Sequence, residues 1–136
     1  MTTDGRMNEH KPWWVMSNVK ANVADYLAAR YKRASELKVA CFGLAFKPNI
    51  DDLRESPAME IAQLIAQWHS GETLVVEPNI HQLPKKLDGL CSLVSLETAL
   101  TSADVIVMLV DHSQFKAISG EAINQQYVVD TKGVWR

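Results

Sequence analysis

The run Val105-Ile106-Val107-Met108-Leu109-Val110 is apolar without interruption, β-branched in its first half, and ends abruptly in Asp111-His112. A strand that is apolar at every residue has no face to show water, so it must be covered on both sides, as happens inside a parallel sheet layered between helices. It is the clearest strand in the chain and is expected to be central. Leu37-Lys38-Val39-Ala40-Cys41-Phe42-Gly43 and Thr73-Leu74-Val75-Val76 are shorter runs of the same kind, Tyr127-Val128-Val129-Asp130 closes the series, and a minor strand is possible around Leu93. Helical segments separate them. Ser56-Pro57 places a serine at an N-cap and a proline at the first helical position. Ala58, Ile61, Leu64, Ile65 and Trp68 then form a core-facing stripe that runs to about Ser70, where Gly71 stops the helix. Ser95 caps a short helix through Leu100, and a weak helix or turn region covers Ser113 to Gln125. Strands alternating with helices predict an α/β fold: an open, mainly parallel, Rossmann-like sheet of four or five strands with flanking helices.

A long N-terminal helix precedes this unit. Pro12 suits a first helical turn, and Met16, Val19, Val23 and Leu27 give an apolar stripe at helical spacing as far as Tyr31. Trp13 and Trp14 fall largely outside that stripe. Two adjacent tryptophans on a helix cannot both enter one small core, so at least one is expected at an interface or poorly covered, with packing on the N-terminal tail as the alternative. The chain therefore divides into a flexible or disordered segment over 1–11, a connecting or interface helix over 12–34 with a possible homodimer contact at Trp13 and Trp14, and an α/β domain over 35–136.

With 136 residues, 47% of them hydrophobic, the chain is long enough for one ordinary core. Its net charge of -2 argues against nucleic acid as a partner, since domains that bind it carry a concentrated basic excess. No apolar run is long enough to span a membrane, and Met1-Thr2-Thr3-Asp4-Gly5 lacks the features of a signal peptide, so the expectation is a cytoplasmic protein. Cys41 and Cys91 have neither the spacing of a metal site nor the density of a disulfide framework, and they are expected to be buried free thiols; no metal is implied.

In open parallel sheets the ligand lies beyond the carboxyl ends of the strands. The residues there are unusually polar. Phe46, Lys47, Asn49, Asp51, Asp52 and Arg54 follow the first strand, Glu77 and Asn79 the second, Asp111 and His112 the clearest one, and Asp130, Thr131 and Lys132 the last. Lys47 and Lys132 could meet over one crevice and bind phosphate groups as charged donors. The first loop reads Gly43-Leu44-Ala45-Phe46-Lys47, which is neither a G-x-G-x-x-G nor a Walker pattern, so a self-sufficient dinucleotide site is unlikely on these residues. The alternative reading is that Asp51, Asp52, Arg54 and Glu55 pair with one another on a solvated loop. Asp111-His112 resembles an acid/base pair, but no motif places a nucleophile beside it, and a structural role at the strand end is favoured.

The run Gly43-Leu44-Ala45-Phe46-Lys47-Pro48-Asn49-Ile50-Asp51-Asp52-Leu53-Arg54-Glu55-Ser56-Pro57 closely resembles the start of the C-terminal domain in the UDP-glucose/GDP-mannose dehydrogenase family. Val110-Asp111-His112-Ser113-Gln114-Phe115 and the ending Val129-Asp130-Thr131-Lys132-Gly133-Val134-Trp135 extend the resemblance over nearly the whole chain, and within the family it points to members acting on UDP-N-acetylmannosamine. Such enzymes oxidise a nucleotide-sugar alcohol to a uronic acid with NAD, through a thioester on a cysteine. They join an NAD-binding domain, a central helical dimerisation region that supplies the cysteine, and a UDP-binding domain; the present chain resembles the last. The resemblance implies that Phe46 and Lys47 contact the nucleotide sugar, that Lys132 contacts its UDP part, and that Arg54 reaches NAD held on another domain. Neither Cys41 nor Cys91 stands in the catalytic-cysteine context. The chain alone is therefore expected to bind a UDP-sugar without oxidising it, the alternative being a non-catalytic interaction or oligomerisation module derived from such a domain.

Overall fold

A computed structural model describes residues 12–30, 33–45, 56–123 and 126–131. Five strands, β1 (Lys38–Phe42), β2 (Glu72–Val76), β3 (Ser92–Leu93), β4 (Val105–Met108) and β5 (Tyr127–Asp130), form one all-parallel sheet in the order β3-β2-β1-β4-β5. The middle position belongs to β1, whose Cys41 lies between Val75 and Val107 and whose Phe42 lies between Val76 and Met108. The continuous apolar strand β4 is interior, beside β1, and not the central one.

Side chains alternate across the sheet, and each face has its own apolar layer. Val39, Cys41, Val75, Val105, Val107 and Val129 pack under α1 (Pro12–Arg30) and α2 (Pro57–Trp68). Ala40, Phe42, Leu74, Val76, Ile106 and Met108 face the other way, toward α3 (Leu96–Ser102) and α4 (Ser113–Lys116), which contribute Ala99 and Phe115. The rings of Phe42 and Phe115 stand 5.0 Å apart. Coverage on both faces is why these strands read as unbroken apolar runs.

The helices bury faces slightly different from those the spacing predicts. In α1 the buried residues are Val15, Val19, Val23 and Tyr26, while Met16 and Leu27 are only half-buried alongside the core. The reason lies at Tyr26. Its hydroxyl donates to Asp104 Oδ1 at 2.6 Å and its ring meets Tyr127 edge-on at 5.2 Å, which draws that side of the helix onto β4 and β5. Asp104 Oδ2 accepts from the Lys38 amide at 2.9 Å, so one carboxylate joins α1 to the start of β1. Trp14 packs against the core and Trp13 is 61% exposed, which is the division expected of adjacent tryptophans.

In α2 the sheet side is Ala58, Ile61, Ala62 and Ile65. Leu64 and Trp68, expected inside, sit toward solvent, while the small Ala62 takes a place on the buried face. The Lys20 ammonium lies 5.7 Å from the Trp68 ring centre and partly covers it. The helix ends at Trp68, with the His69 amide donating to the Ile65 carbonyl and His69 in an extended conformation. Gly71 is therefore not its cap. A Cβ at Gly71 would fall 2.1 Å from the Leu37 carbonyl oxygen, so glycine is demanded there by the close approach of two chain segments. Ser95 does cap α3, accepting from the Thr98 amide at 3.1 Å. Among the described residues, no helix is long and apolar enough to cross a membrane.

Candidate functional site

From β1 the chain steps to β2 on one side of the sheet, and β4 lies on the other, so the strand order reverses between β1 and β4. Connections leaving the carboxyl ends of such neighbours diverge and open a crevice. The backbone here is tightly constrained. Phe42 ends β1 and its carbonyl accepts from the amides of both Leu109 and Val110, at 2.9 and 3.2 Å. Gly43 follows with φ +98°, and a Cβ there would lie 2.6 Å from the Val110 Cβ. Only glycine permits both the left-handed turn and that contact.

Beyond Gly43 the chain has left the ladder, and its next two amides need other acceptors. Glu77, the first residue past β2, supplies one. Its Oε1 accepts from the amides of Leu44 and Ala45 at 2.8 and 3.1 Å, and its Oε2 accepts from the backbone and side-chain nitrogens of Asn79, both at 3.0 Å. His112, just past β4, brings Nε2 to 2.8 Å from Oε1. An ionised carboxylate only accepts, which assigns the proton to Nε2 as donor. Both side chains are fully buried. Burial pushes the Glu77 carboxyl up, but the hydrogen bonds from His112, Leu44 and Asn79, with the attraction of the His112 ring, outweigh it and hold the group below its ordinary value. Glu77 is thus an ionised hub joining the ends of β1, β2 and β4.

Ser56 occupies the N-cap position of α2, as its residue type predicts, but its hydroxyl does not cap the helix; it donates to the Leu44 carbonyl at 2.6 Å. Beyond β4, Thr131 is buried after β5 and its hydroxyl donates to the Met108 carbonyl. Asp111 and His112 do not form the acid/base pair suggested by their adjacency: Asp111 approaches Lys116 at 3.8 Å on the surface, while His112 turns inward to Glu77. A mostly apolar cleft of about 280 Å³ opens beyond the ends of β2 and β3, with Val76, Ile80, Leu93 and Leu96 in its wall.

The predicted ligand residues Phe46, Lys47, Arg54 and Lys132 lie outside the described residues. Their described chain neighbours Ala45, Ser56 and Thr131 are all buried near these strand ends. The Glu77–His112 pair was not read from the sequence. The available signals were a carboxylate directly after one apolar strand and a histidine directly after another, which become partners only once the strand order is known.

Among the described residues, the acidic residue after β2 is not placed as it is in a dinucleotide site. In such sites an acidic residue after the second strand hydrogen-bonds the ribose. Glu77 stands at that place in the chain, but its carboxylate is buried and takes five protein donors. No glycine-rich phosphate loop accompanies it. Cys41 is sealed in β1, where burial pushes its thiol well above the ordinary range, and burial pushes half-covered Cys91 up to about 11. Neither is activated as a nucleophile. Among the described residues, no group of His, Cys, Asp and Glu side chains is arranged to hold a metal ion.

The described residues thus form a Rossmann-like α/β sheet whose switch point is tied together by side-chain hydrogen bonds. The chain belongs to the UDP-glucose/GDP-mannose dehydrogenase family, matching that family's UDP binding domain over residues 40–136. It is 77% identical over 134 residues to UDP-N-acetyl-D-mannosamine dehydrogenase of Escherichia coli, an alignment covering 98% of this chain and 32% of that protein. It is 47% identical over 133 residues to NDP-N-acetyl-D-galactosaminuronic acid dehydrogenase of Ralstonia nicotianae, covering 98% of this chain and 29% of the relative. The chain thus spans about a third of the length of these curated relatives. Among solved structures, UDP-N-acetyl-mannosamine dehydrogenase from Staphylococcus aureus superposes with a TM-score of 0.68 at 26% identity, covering 92% of this chain and 27% of that one. A dehydrogenase from Methanosarcina mazei superposes at 0.70 and 21% identity over 92% of this chain and 26% of its own, and shares the fold.

Proposed function

We propose that this chain holds the UDP part of a nucleotide sugar, as the substrate-binding domain of an NAD-dependent UDP-N-acetylmannosamine-type 6-dehydrogenase. The match of residues 40–136 to the UDP binding domain carries this reading, because that span includes both the Gly43–Ala45 exit from β1 and the Asp130-Thr131-Lys132 close of the chain. Phe46 and Lys47 contact the nucleotide sugar and Lys132 its UDP group, while Arg54 reaches toward NAD carried on another domain. The α/β unit is residues 35–136, led by the connecting helix of 12–34. NAD does not bind this chain alone. Nor does the chain oxidise the sugar alone, because hydride acceptor, thiolate and substrate must be positioned together for the reaction to proceed at a useful rate. The setting is the cytoplasm, in the synthesis of surface-polysaccharide precursors.

Calorimetric titration with UDP tests this, with ADP as control and a Lys47→Ala, Lys132→Ala double variant alongside. The expected result is UDP binding at least about tenfold tighter than ADP, the scale of one or two discriminating hydrogen bonds, and lost in the variant. Binding that ignores the base, or that survives the substitutions, contradicts it.

The exposure of Trp13 favours a second role compatible with the first, a homodimer contact through α1. Sedimentation of the chain beside Trp13→Ala tests it: a dimer that dissociates in the variant supports the contact, and an unchanged mass rejects it.

A further inference from the structure

We propose that Glu77 is a positioning residue for nucleotide binding: its carboxylate, together with the Ser56 hydroxyl, clamps the Leu44-Ala45 backbone, directly ahead in the sequence of the proposed ligand residues Phe46 and Lys47. The inference rests on the UDP-binding reading above and adds residues that would touch no ligand.

Four constraints fall on three consecutive residues. Gly43 is left-handed and in contact with Val110, the amides of Leu44 and Ala45 both end on Glu77 Oε1, and the Leu44 carbonyl takes the Ser56 hydroxyl. The Gly43 amide still donates to the Val76 carbonyl, but the amides of Leu44 and Ala45 have left the strand ladder and end on a side chain. Stability by itself does not call for this arrangement. Removing a carboxylate from water is costly, and well-packed apolar residues commonly serve a core as well or better. What a carboxylate supplies, and an apolar side chain cannot, is an acceptor for two successive amides at a fixed place. His112 and Asn79 then hold the carboxylate itself: Nε2 shares Oε1 with the clamped amides, and Asn79 takes up Oε2. The clamp sits at the switch point between β1 and β4.

Glu77→Gln is nearly isosteric but turns a donating amide toward groups that donate. The test is a double-mutant cycle on the 136-residue chain, with UDP affinity read by NMR titration in wild type, Glu77→Gln, Lys47→Ala and the double variant, and folding followed by thermal melting. The expected result is a dissociation constant raised about tenfold in folded Glu77→Gln, the scale of a lost charge-assisted hydrogen bond, with little further loss when Glu77→Gln is added to Lys47→Ala. An unchanged affinity overturns the proposal. So does a loss that adds in full to that of Lys47→Ala, because a general structural role would not depend on Lys47. If Glu77→Gln does not fold, Ser56→Ala is decisive in the same cycle: a loss of about threefold absorbed by Lys47→Ala supports the clamp, and no loss rejects it. Absence of UDP binding by the wild type removes the functional reading and the proposal with it. UDP binding that is indifferent to Glu77 and Ser56 removes the proposal alone.

Discussion

At the scale of single residues, the Glu77–His112 contact concentrates more electrostatic consequence than any other described pair. Glu77 is fully buried and held below its ordinary value of 4.5, so its stabilising contribution is fully present above that value and is lost as pH falls through the lowered one. Urea unfolding at a series of pH values is expected to show wild-type stability falling more steeply below pH 4.5 than that of Glu77→Gln, which lacks the titrating group. Parallel slopes would contradict this. At neutral pH the same substitution is expected to cost about 2–4 kcal/mol, because it leaves buried donors facing a donor. Gly43→Ala is expected to destabilise by at least about 2 kcal/mol in the same assay, since φ +98° and the 2.6 Å approach to Val110 act together. This is also the scale at which the sequence was least legible. Residue types announced polar strand ends, but Glu77 and His112 are 35 positions apart, and nothing local specifies that the loops carrying them converge. Adjacency in the chain suggests Asp111 as a partner for His112, and only the strand order brings Glu77 to it.

At the scale of elements, the strands were legible because parallel strands covered on both faces need apolar residues at every position, and such runs are conspicuous. Helix faces were harder. In α1 the predicted Val19 and Val23 are buried, but Val15 and Tyr26 replace Met16 and Leu27 at the ends of the stripe, with Tyr26 tied to Asp104; in α2 the expected Leu64 and Trp68 are exposed and Ala62 is buried. Gly71 was correctly noticed and misassigned, since close backbone approach and helix termination call for the same residue. Two outcomes belong here. Tyr26→Phe is expected to lower stability by about 1–2 kcal/mol in thermal melts by removing the tie between α1 and Asp104, with little effect on UDP affinity. Alkylation of the native chain at pH 8 is expected to modify Cys91 slowly and Cys41 only after unfolding, because Cys91 is half-covered with its thiol pushed up to about 11 while Cys41 is sealed within β1.

At the scale of the whole molecule, the switch point of this Rossmann-like sheet is held together by protein groups. The sequence holds no glycine-rich turn, and the acidic residue after β2 faces inward, where its carboxylate holds the Leu44 and Ala45 amides. The UDP site proposed above is assigned to this switch point, within the span that matches the family's UDP binding domain. The measurement that tests this most directly is the map of backbone amide shifts on adding UDP to the labelled chain. Perturbations concentrated at 43–47, 109–112 and 130–132, saturating with UDP and weak with ADP, are the predicted result. Shifts confined to other surfaces, or the same response to both nucleotides, would contradict it.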